Sequence, residues 1–300
     1  MKDDFLSLAD LSADEIVSLL DLADELKRKR DEGVAYRPLQ DKTIALIFEK
    51  PSLRTRVTFE IGIFQLGGYG MFYQTRLGER ESVPDVARNL ERWNDGIVAR
   101  TFKHSSLIEL ADNARVPVIN ALTDREHPCQ ILADAQALRM HKGGFDGLKI
   151  AFVGDGNNVF NSWVHFVSRM PMELTLVCPQ GYEPCADIAA FAEKEGAGKV
   201  RVTHDVEEGV SGADAVYTDV WASMGQEAEA AVRAKIFEPY QVNDRLMSFA
   251  KKEAVFMHCL PAHRGSEVTD SVIDGPNSIV FDQAENRLHV QKAVMLNLMH

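Results

Sequence analysis

The chain is short of cysteine, of paired metal ligands, of long apolar runs and of positive charge, and each shortage closes a class of function. Its four cysteines, Cys129, Cys178, Cys185 and Cys259, form no CxxC pair. Neither a cysteine-bound metal nor a disulfide framework is therefore expected, and the thiols are read as reduced. The nine histidines include no HExxH arrangement, so no metal centre is expected. No segment approaches the roughly 20 consecutive apolar residues that a membrane span requires. Met1-Lys2-Asp3-Asp4-Phe5-Leu6 lacks a basic stretch followed by an apolar core, so no secretory signal is read and the cytoplasm is the expected compartment. Lys and Arg number 33 against 45 Asp and Glu, a net charge of -12. An acidic body repels nucleic acid, so any anion site must be built from local donors.

What is present is enough for two domains: 300 residues with 45% hydrophobic content. Residues Leu11 to Lys29 carry a helical pattern, with Ser12 and Glu15 spaced as a capping box. Short apolar runs then alternate with helical patterns. Strands are expected at Thr43–Phe48, Tyr69–Tyr73, Gly96–Arg100, Val116–Ala121, Leu148–Val153, Leu174–Pro179, Lys199–Thr203, Ala213–Val220 and Ala254–Leu260. Such alternation predicts α/β architecture: doubly wound domains with central parallel sheets and helices on both faces. The glycine-rich stretch Gly143-Gly144-Phe145-Asp146-Gly147 is the best interior boundary, dividing 1–143 from 144–285.

The chain is organised around Lys50-Pro51-Ser52-Leu53-Arg54-Thr55-Arg56, between the strand Thr43–Phe48 and a helix ending at Gly67-Gly68. A strand-to-helix junction offers unpaired N–H groups and the positive end of the helix dipole. Ser52 alone reads as a helix cap. Two arginines in the first turn are different, because cations there oppose the dipole unless an anion offsets them. A phosphate is the ligand that suits this place, since guanidinium grips it with a planar fork of donors.

Other strand ends are also chemically loaded. Arg100 closes one strand, and His127-Pro128-Cys129-Gln130 opens a helix after the next. Asp219-Val220-Trp221-Ala222-Ser223-Met224-Gly225 and His258-Cys259-Leu260-Pro261 follow two later strands. Polar groups collected at strand C-termini are what a ligand site in a parallel sheet requires. Taken singly, Cys259 reads as a buried small hydrophobe and Asp219 as a cap. Gly154-Asp155-Gly156-Asn157-Asn158-Val159 also fits a dinucleotide-binding turn. Its third glycine position is Val159, however, and the strand ending at Pro179 lacks the acidic residue a ribose needs. An NAD-binding oxidoreductase is thus an alternative that these residues do not favour.

Taken together, Ser52 to Arg56, His127 to Gln130, Asp219 to Gly225 and His258 to Pro261, supported by Phe281 to Arg287, resemble the aspartate/ornithine carbamoyltransferase family over nearly the whole chain. That resemblance implies two α/β domains, a carbamoyl phosphate-binding one (1–143) and an ornithine-binding one (144–285), with a C-terminal helix, 286–300, returning to the first. It implies a homotrimer or a multiple of trimers. The implied activity moves the carbamoyl group from carbamoyl phosphate to the δ-amine of L-ornithine, giving citrulline and phosphate, as in arginine biosynthesis, without a cofactor. By the same resemblance Ser52, Leu53, Arg54, Thr55 and Arg100 would bind phosphate, and Arg100, His127, Gln130, Cys259, Leu260 and Arg287 the carbamoyl end. Asn158, Asp219, Ser223 and Met224 would hold ornithine. Two positions depart from the family pattern: Leu53 stands where threonine is common, and Arg76 where a neighbouring subunit's Gln or His commonly reaches the phosphate. Related enzymes acting on putrescine or N-acylated ornithine are the near alternatives; Asp219 favours a free α-ammonium.

Overall fold

A computed structural model of the chain describes residues 4–222 and 227–299. It divides into two compact units, residues 1–136 with 285–300 and residues 137–284.

The first unit is built on strands β1 (Thr43–Phe48), β2 (Tyr69–Gln74), β3 (Gly96–Arg100) and β4 (Val118–Leu122), all paired in parallel in the order β2-β1-β3-β4. Parallel neighbours demand helical crossovers, which are α2 (Leu53–Gln65), α3 (Val83–Leu90) and α4 (His104–Asn113), flanked by α1 (Ala13–Asp31) and by α5 (Pro128–Lys142), whose residues from Ala137 belong to the second unit. Helix α1 starts as the sequence predicts: the Ser12 side chain accepts from the Glu15 N–H while Glu15 reaches back to the Ser12 N–H. Its predicted apolar face, Ile16, Leu19, Leu20, Ala23 and Leu26, is buried. Ala45, Ile47, Ile97 and Ala99 pack with Leu107 and Leu110 on one side of the sheet.

The second unit carries β5 (Lys149–Val153), β6 (Glu173–Val177), β7 (Lys199–Thr203), β8 (Ala215–Thr218) and β9 (Val255–His258), parallel in the order β7-β6-β5-β8-β9. Its helices are α6 (Asn158–Val167), α7 (Ala186–Glu195), α8 (Val206–Val210), α9 (Ala230–Phe237), α10 (Asp244–Met247) and α11 (Asp270–Ile273). The last helix, α12 (Val280–Met299), begins in this unit, and its residues from Glu285 belong to the first. It starts before residue 286, the expected first residue of the C-terminal helix, and its early residues Gln283, Asn286 and Arg287 are polar yet buried. Polarity disguised the first turns of a core helix.

Both sheets reverse direction once. The chain leaves β1 toward β2 and then returns past β1 to β3; it leaves β5 toward β6 and later returns to β8. At each reversal two loops diverge from adjacent strand ends and leave a crevice, the place where parallel sheets bind ligands.

Candidate active site

In the first unit the crevice lies at the ends of β1 and β3, where Phe48 is in register with Arg100. The loop after β1 carries Ser52 into the N-cap position of α2, and the side chain makes no capping hydrogen bond. Its hydroxyl instead accepts from Arg100 Nη1 at 3.1 Å. The same guanidinium nitrogen lies 3.4 Å from Thr55 Oγ1, which also accepts from Arg287 Nη2 at 2.8 Å. Arg287 Nη1 donates to Gln130 Oε1 at 2.5 Å, and Gln130 Nε2 donates to Asp134 Oδ1 at 2.8 Å, which fixes the amide's orientation. Residues 52, 55, 100, 130 and 287, scattered over the sequence, thus form one hydrogen-bonded web. Hydroxyls and an amide orient the guanidinium groups. Arg287 can join because Gly62 lets α2 approach α12: a Cβ on Gly62 would lie 3.2 Å from Lys292 Cγ.

His127 is buried beside this web. Burial, together with the charges of Arg287, Arg100 and Arg54, holds its imidazole well below the ordinary value of 6.5. It is therefore neutral at physiological pH, with its proton on one ring nitrogen. Leu53 has an exposed side chain and sits at the first position of α2, where backbone N–H groups lack intrahelical acceptors. The first turn of α2 contains no acidic residue.

Not every cation of the motif joins in. Arg56 donates to Glu60 Oε1 at 3.0 Å and stacks over the Phe72 ring, 3.6 Å from its centroid. It supports the helix, contrary to the expectation that both motif arginines address the anion. Arg76 is exposed, with its guanidinium 5.2 Å from the Phe102 centroid, and Lys50 lies 4.9 Å from the same ring. Glu49, which sequence reasoning passed over, ties these loops down, its carboxylate accepting from the backbone N–H groups of Leu77 and Phe102.

In the second unit the crevice lies at the ends of β5 and β8 and has the opposite sign. Asp219, one residue past β8, is buried. Its Oδ1 accepts from the Cys259 thiol at 3.0 Å and from the Val220 N–H at 2.8 Å; its Oδ2 accepts from Asn157 Nδ2 at 2.7 Å. Asn157 also caps α6, its Oδ1 accepting from the N–H groups of Val159 and Phe160. It is the residue beside the predicted Asn158, which is the first residue of the helix. An Asn immediately before a helical apolar pattern was the available signal. Ser223 and Met224 lie outside the described residues. Cys129 and Cys178, by contrast with Cys259, are deep thiols that burial pushes up to about 12.

The glycine turn after β5 is closed to a dinucleotide. A Cβ on Gly156 would lie 2.6 Å from the backbone nitrogen of Pro184 and 2.8 Å from the carbonyl carbon of Glu183. The backbone at Glu183 and Pro184 covers that face of the turn. Asp155 is engaged by the buried Arg233, Nη1 to Oδ2 at 2.6 Å.

Among the described residues, Asp219, His258 and Cys259 bring three potential ligand atoms within 4.8 Å of one another. His258 Nδ1, however, accepts from the Leu260 N–H at 2.8 Å, and Nε2 faces Glu267 Oε1 at 3.3 Å. Both imidazole nitrogens are committed to protein partners, so the trio does not make a ready metal site.

A cationic web at one switch point suits an anion, and a caged carboxylate at the other suits a cation. Residues 3–140 match the family description "Aspartate/ornithine carbamoyltransferase, carbamoyl-P binding domain", and residues 146–298 match "Aspartate/ornithine carbamoyltransferase, Asp/Orn binding domain". The chain belongs to the aspartate/ornithine carbamoyltransferase family. The relatives most similar among those compared carry the ornithine name. The ornithine carbamoyltransferase of Syntrophus aciditrophicus is 51% identical over 298 residues, covering 98% of this chain and 99% of the relative. That of Carboxydothermus hydrogenoformans is 53% identical over 302 residues, covering 99% and 97%. Among solved structures, ornithine carbamoyltransferase from Pyrococcus furiosus superposes with a TM-score of 0.96 at 48% identity, covering 99% of this chain and 96% of that one. The enzyme from Thermus thermophilus gives 0.90 at 44% identity, with 100% of both chains covered.

Proposed function

We propose that this chain transfers the carbamoyl group of carbamoyl phosphate to the δ-amine of L-ornithine, releasing L-citrulline and phosphate. The observation that carries this reading is the web joining Ser52, Thr55, Arg100, Gln130 and Arg287 beside a neutral His127, in the part of the chain that matches the carbamoyl phosphate-binding domain.

In this reading Ser52, Thr55, Arg54, Arg100 and the Leu53 N–H hold the phosphate, as the open end of α2 favours. Arg76 adds positive charge near it. His127, Gln130, Arg100 and Arg287, with the Cys259–Leu260 segment, address the carbamoyl end. Attack by nitrogen puts negative charge on the carbonyl oxygen, and donors fixed before the reaction stabilise it. Removing one such donor costs about 3 kcal/mol of barrier. A neutral His127 suits this role: it donates without presenting a cation that would also repel the incoming amine. The amine itself must lose its proton before attack, since its free value lies near that of lysine, about 10.4. The departing phosphate is a natural acceptor for the proton released afterwards. Asp219, oriented by Asn157 and Cys259, pairs with the α-ammonium of ornithine, and Asn158, Ser223 and Met224 complete the grip. No cofactor is needed, because the mixed anhydride of carbamoyl phosphate is already activated.

The protein is further read as a homotrimer or a multiple of trimers. In support, α2 exposes an apolar stripe, Leu53, Val57, Ile61 and Phe64, with Phe64 75% exposed. Such a face calls for cover, and light scattering on Phe64→Glu should show smaller particles than wild type. Among the described residues no helix is long and apolar enough to cross a membrane. With free cysteines throughout, a cytoplasmic place in arginine biosynthesis is the matching assignment.

The deciding experiment is a citrulline assay with ornithine, putrescine, N-acetylornithine and aspartate in parallel. Ornithine alone should give full turnover, and Arg54→Ala should abolish it while the fold persists. Near wild-type turnover by Arg54→Ala would refute the phosphate assignment.

A further inference from the structure

The segment Cys259-Leu260-Pro261 leaves β9 in a conformation that its own sequence does not favour. Leu260 has φ +56°, the left-handed region that a branched side chain rarely occupies. Something outside the segment must hold it there. The structure supplies one candidate, a pair of fully buried side chains, His258 and Glu267.

Three hydrogen bonds define the pair. His258 Nδ1 accepts from the Leu260 N–H at 2.8 Å, so that nitrogen carries no proton and the neutral ring's hydrogen sits on Nε2. Nε2 faces Glu267 Oε1 at 3.3 Å, and the same carboxylate oxygen accepts from the His263 N–H at 2.5 Å. Glu267 therefore grips the segment from both sides: through His258 it reaches Leu260, and directly it reaches His263. The backbone of His258 is fixed in turn, its N–H donating to Gln283 Oε1 at 3.0 Å. At the far end of the loop, Arg264 is held between Asp270 and Asp274. A buried histidine whose one nitrogen accepts a backbone N–H, while a carboxylate holds the other, is the arrangement by which proteins select one imidazole tautomer.

We propose that His258 and Glu267 are a positioning pair for carbamoyl transfer: Glu267 holds His258 as the Nε2–H tautomer, and Nδ1 holds Leu260 in its left-handed conformation, presenting the Cys259 thiol and Leu260 carbonyl to the reacting group. This rests on the functional reading above and extends it to two residues with no contact to substrate. The chemistry of the two presented groups explains the need. A carbonyl oxygen accepts from an N–H2 group and a thiol lies 3.0 Å from Asp219, so both must stand at fixed positions when nitrogen attacks. A peptide free to relax from φ +56° would swing the carbonyl away, and misplacement by about 1 Å costs roughly 100-fold in rate.

The test compares Glu267→Leu, Glu267→Gln and His258→Gln in the citrulline assay, with thermal melting alongside. Glutamine at 267 keeps an acceptor for Nε2–H and for the His263 N–H, whereas leucine keeps none. Glutamine at 258 removes the acceptor for the Leu260 N–H. Glu267→Leu and His258→Gln should each lower kcat about 100-fold with the KM for carbamoyl phosphate little changed, and Glu267→Gln should recover most of the rate. Equal kcat in all folded variants, or a loss confined to that KM, would overturn the proposal. Should Glu267→Leu and His258→Gln not fold, nitrogen-15 NMR of wild-type histidines decides: a protonated Nε2 and bare Nδ1 on His258 support the pair, and the reverse tautomer overturns it. Wild-type protein that makes no citrulline would refute the functional reading instead, and the NMR result would still decide whether the pair exists.

Discussion

The two units share a plan and differ in charge. Each is a parallel sheet that reverses direction once, and each gathers its polar residues where the reversal leaves a crevice. In the first unit the crevice is lined by arginines that hydroxyls and an amide orient. In the second it holds a buried carboxylate that a thiol, an amide and a backbone N–H orient. Topology chose the place in both, and the side chains chose the ligand. Fold alone would not have separated an anion site from a cation site.

The largest expected effect comes from the web of the first unit. Arg287→Met removes the donor shared by Thr55 and Gln130, and kcat/KM for carbamoyl phosphate should fall on the order of 1,000-fold, about 4 kcal/mol. The ornithine site should be spared, which steady-state kinetics with each substrate varied would reveal. Asp219→Asn is the mirror experiment. It removes one charge-assisted partner, so the KM for ornithine should rise about 50-fold with the KM for carbamoyl phosphate unchanged. If both constants moved together in either variant, the half-sites would not be separate in ligand.

A third change strikes stability rather than binding, and only in the second unit. Gly156→Ala forces a Cβ against the backbone of Glu183 and Pro184, which should destabilise by about 2 kcal/mol and lower the melting temperature. Addition of NAD(H) should not raise it, since no cradle is open.

The smallest effect is a pH slope in the first unit. His127 has a folded-state value below 6.5, so the unfolded chain takes up the proton first as pH falls. Stability should therefore drop as pH descends below about 6.5 and level off beneath the folded value. His127→Gln should flatten that part of the curve, as denaturant melts at a series of pH values would show.

The comparison also marks how much of the site could be read beforehand. Ser52, Thr55, Arg100, Gln130 and Arg287 stood out because each follows a strand or lies in a recognisable motif, and the structure joins them. Asn157, which orients Asp219 and caps α6, was not singled out beside Asn158, because only the helix start marks it as the cap. His258 was visible as part of a motif, but Glu267 was not. A glutamate in a polar loop reads as a solvated charge until the fold buries it against an imidazole. Arg56 misled in the opposite direction, its charge being directed to Glu60 and Phe72.

Local pattern by itself determined the strands, the capped start of α1, the sequence of α/β units and the junction where an anion would be welcome, because hydrophobic period and capping chemistry are short-range properties. Only the tertiary structure decided that Arg287, more than 230 positions from Thr55 in its hydrogen-bond partnership, completes the cationic web, that Arg56 does not, and that Pro184 closes the glycine turn. Those outcomes depend on which backbones approach closely enough for bonds of about 3 Å, and no spacing along the chain encodes that distance.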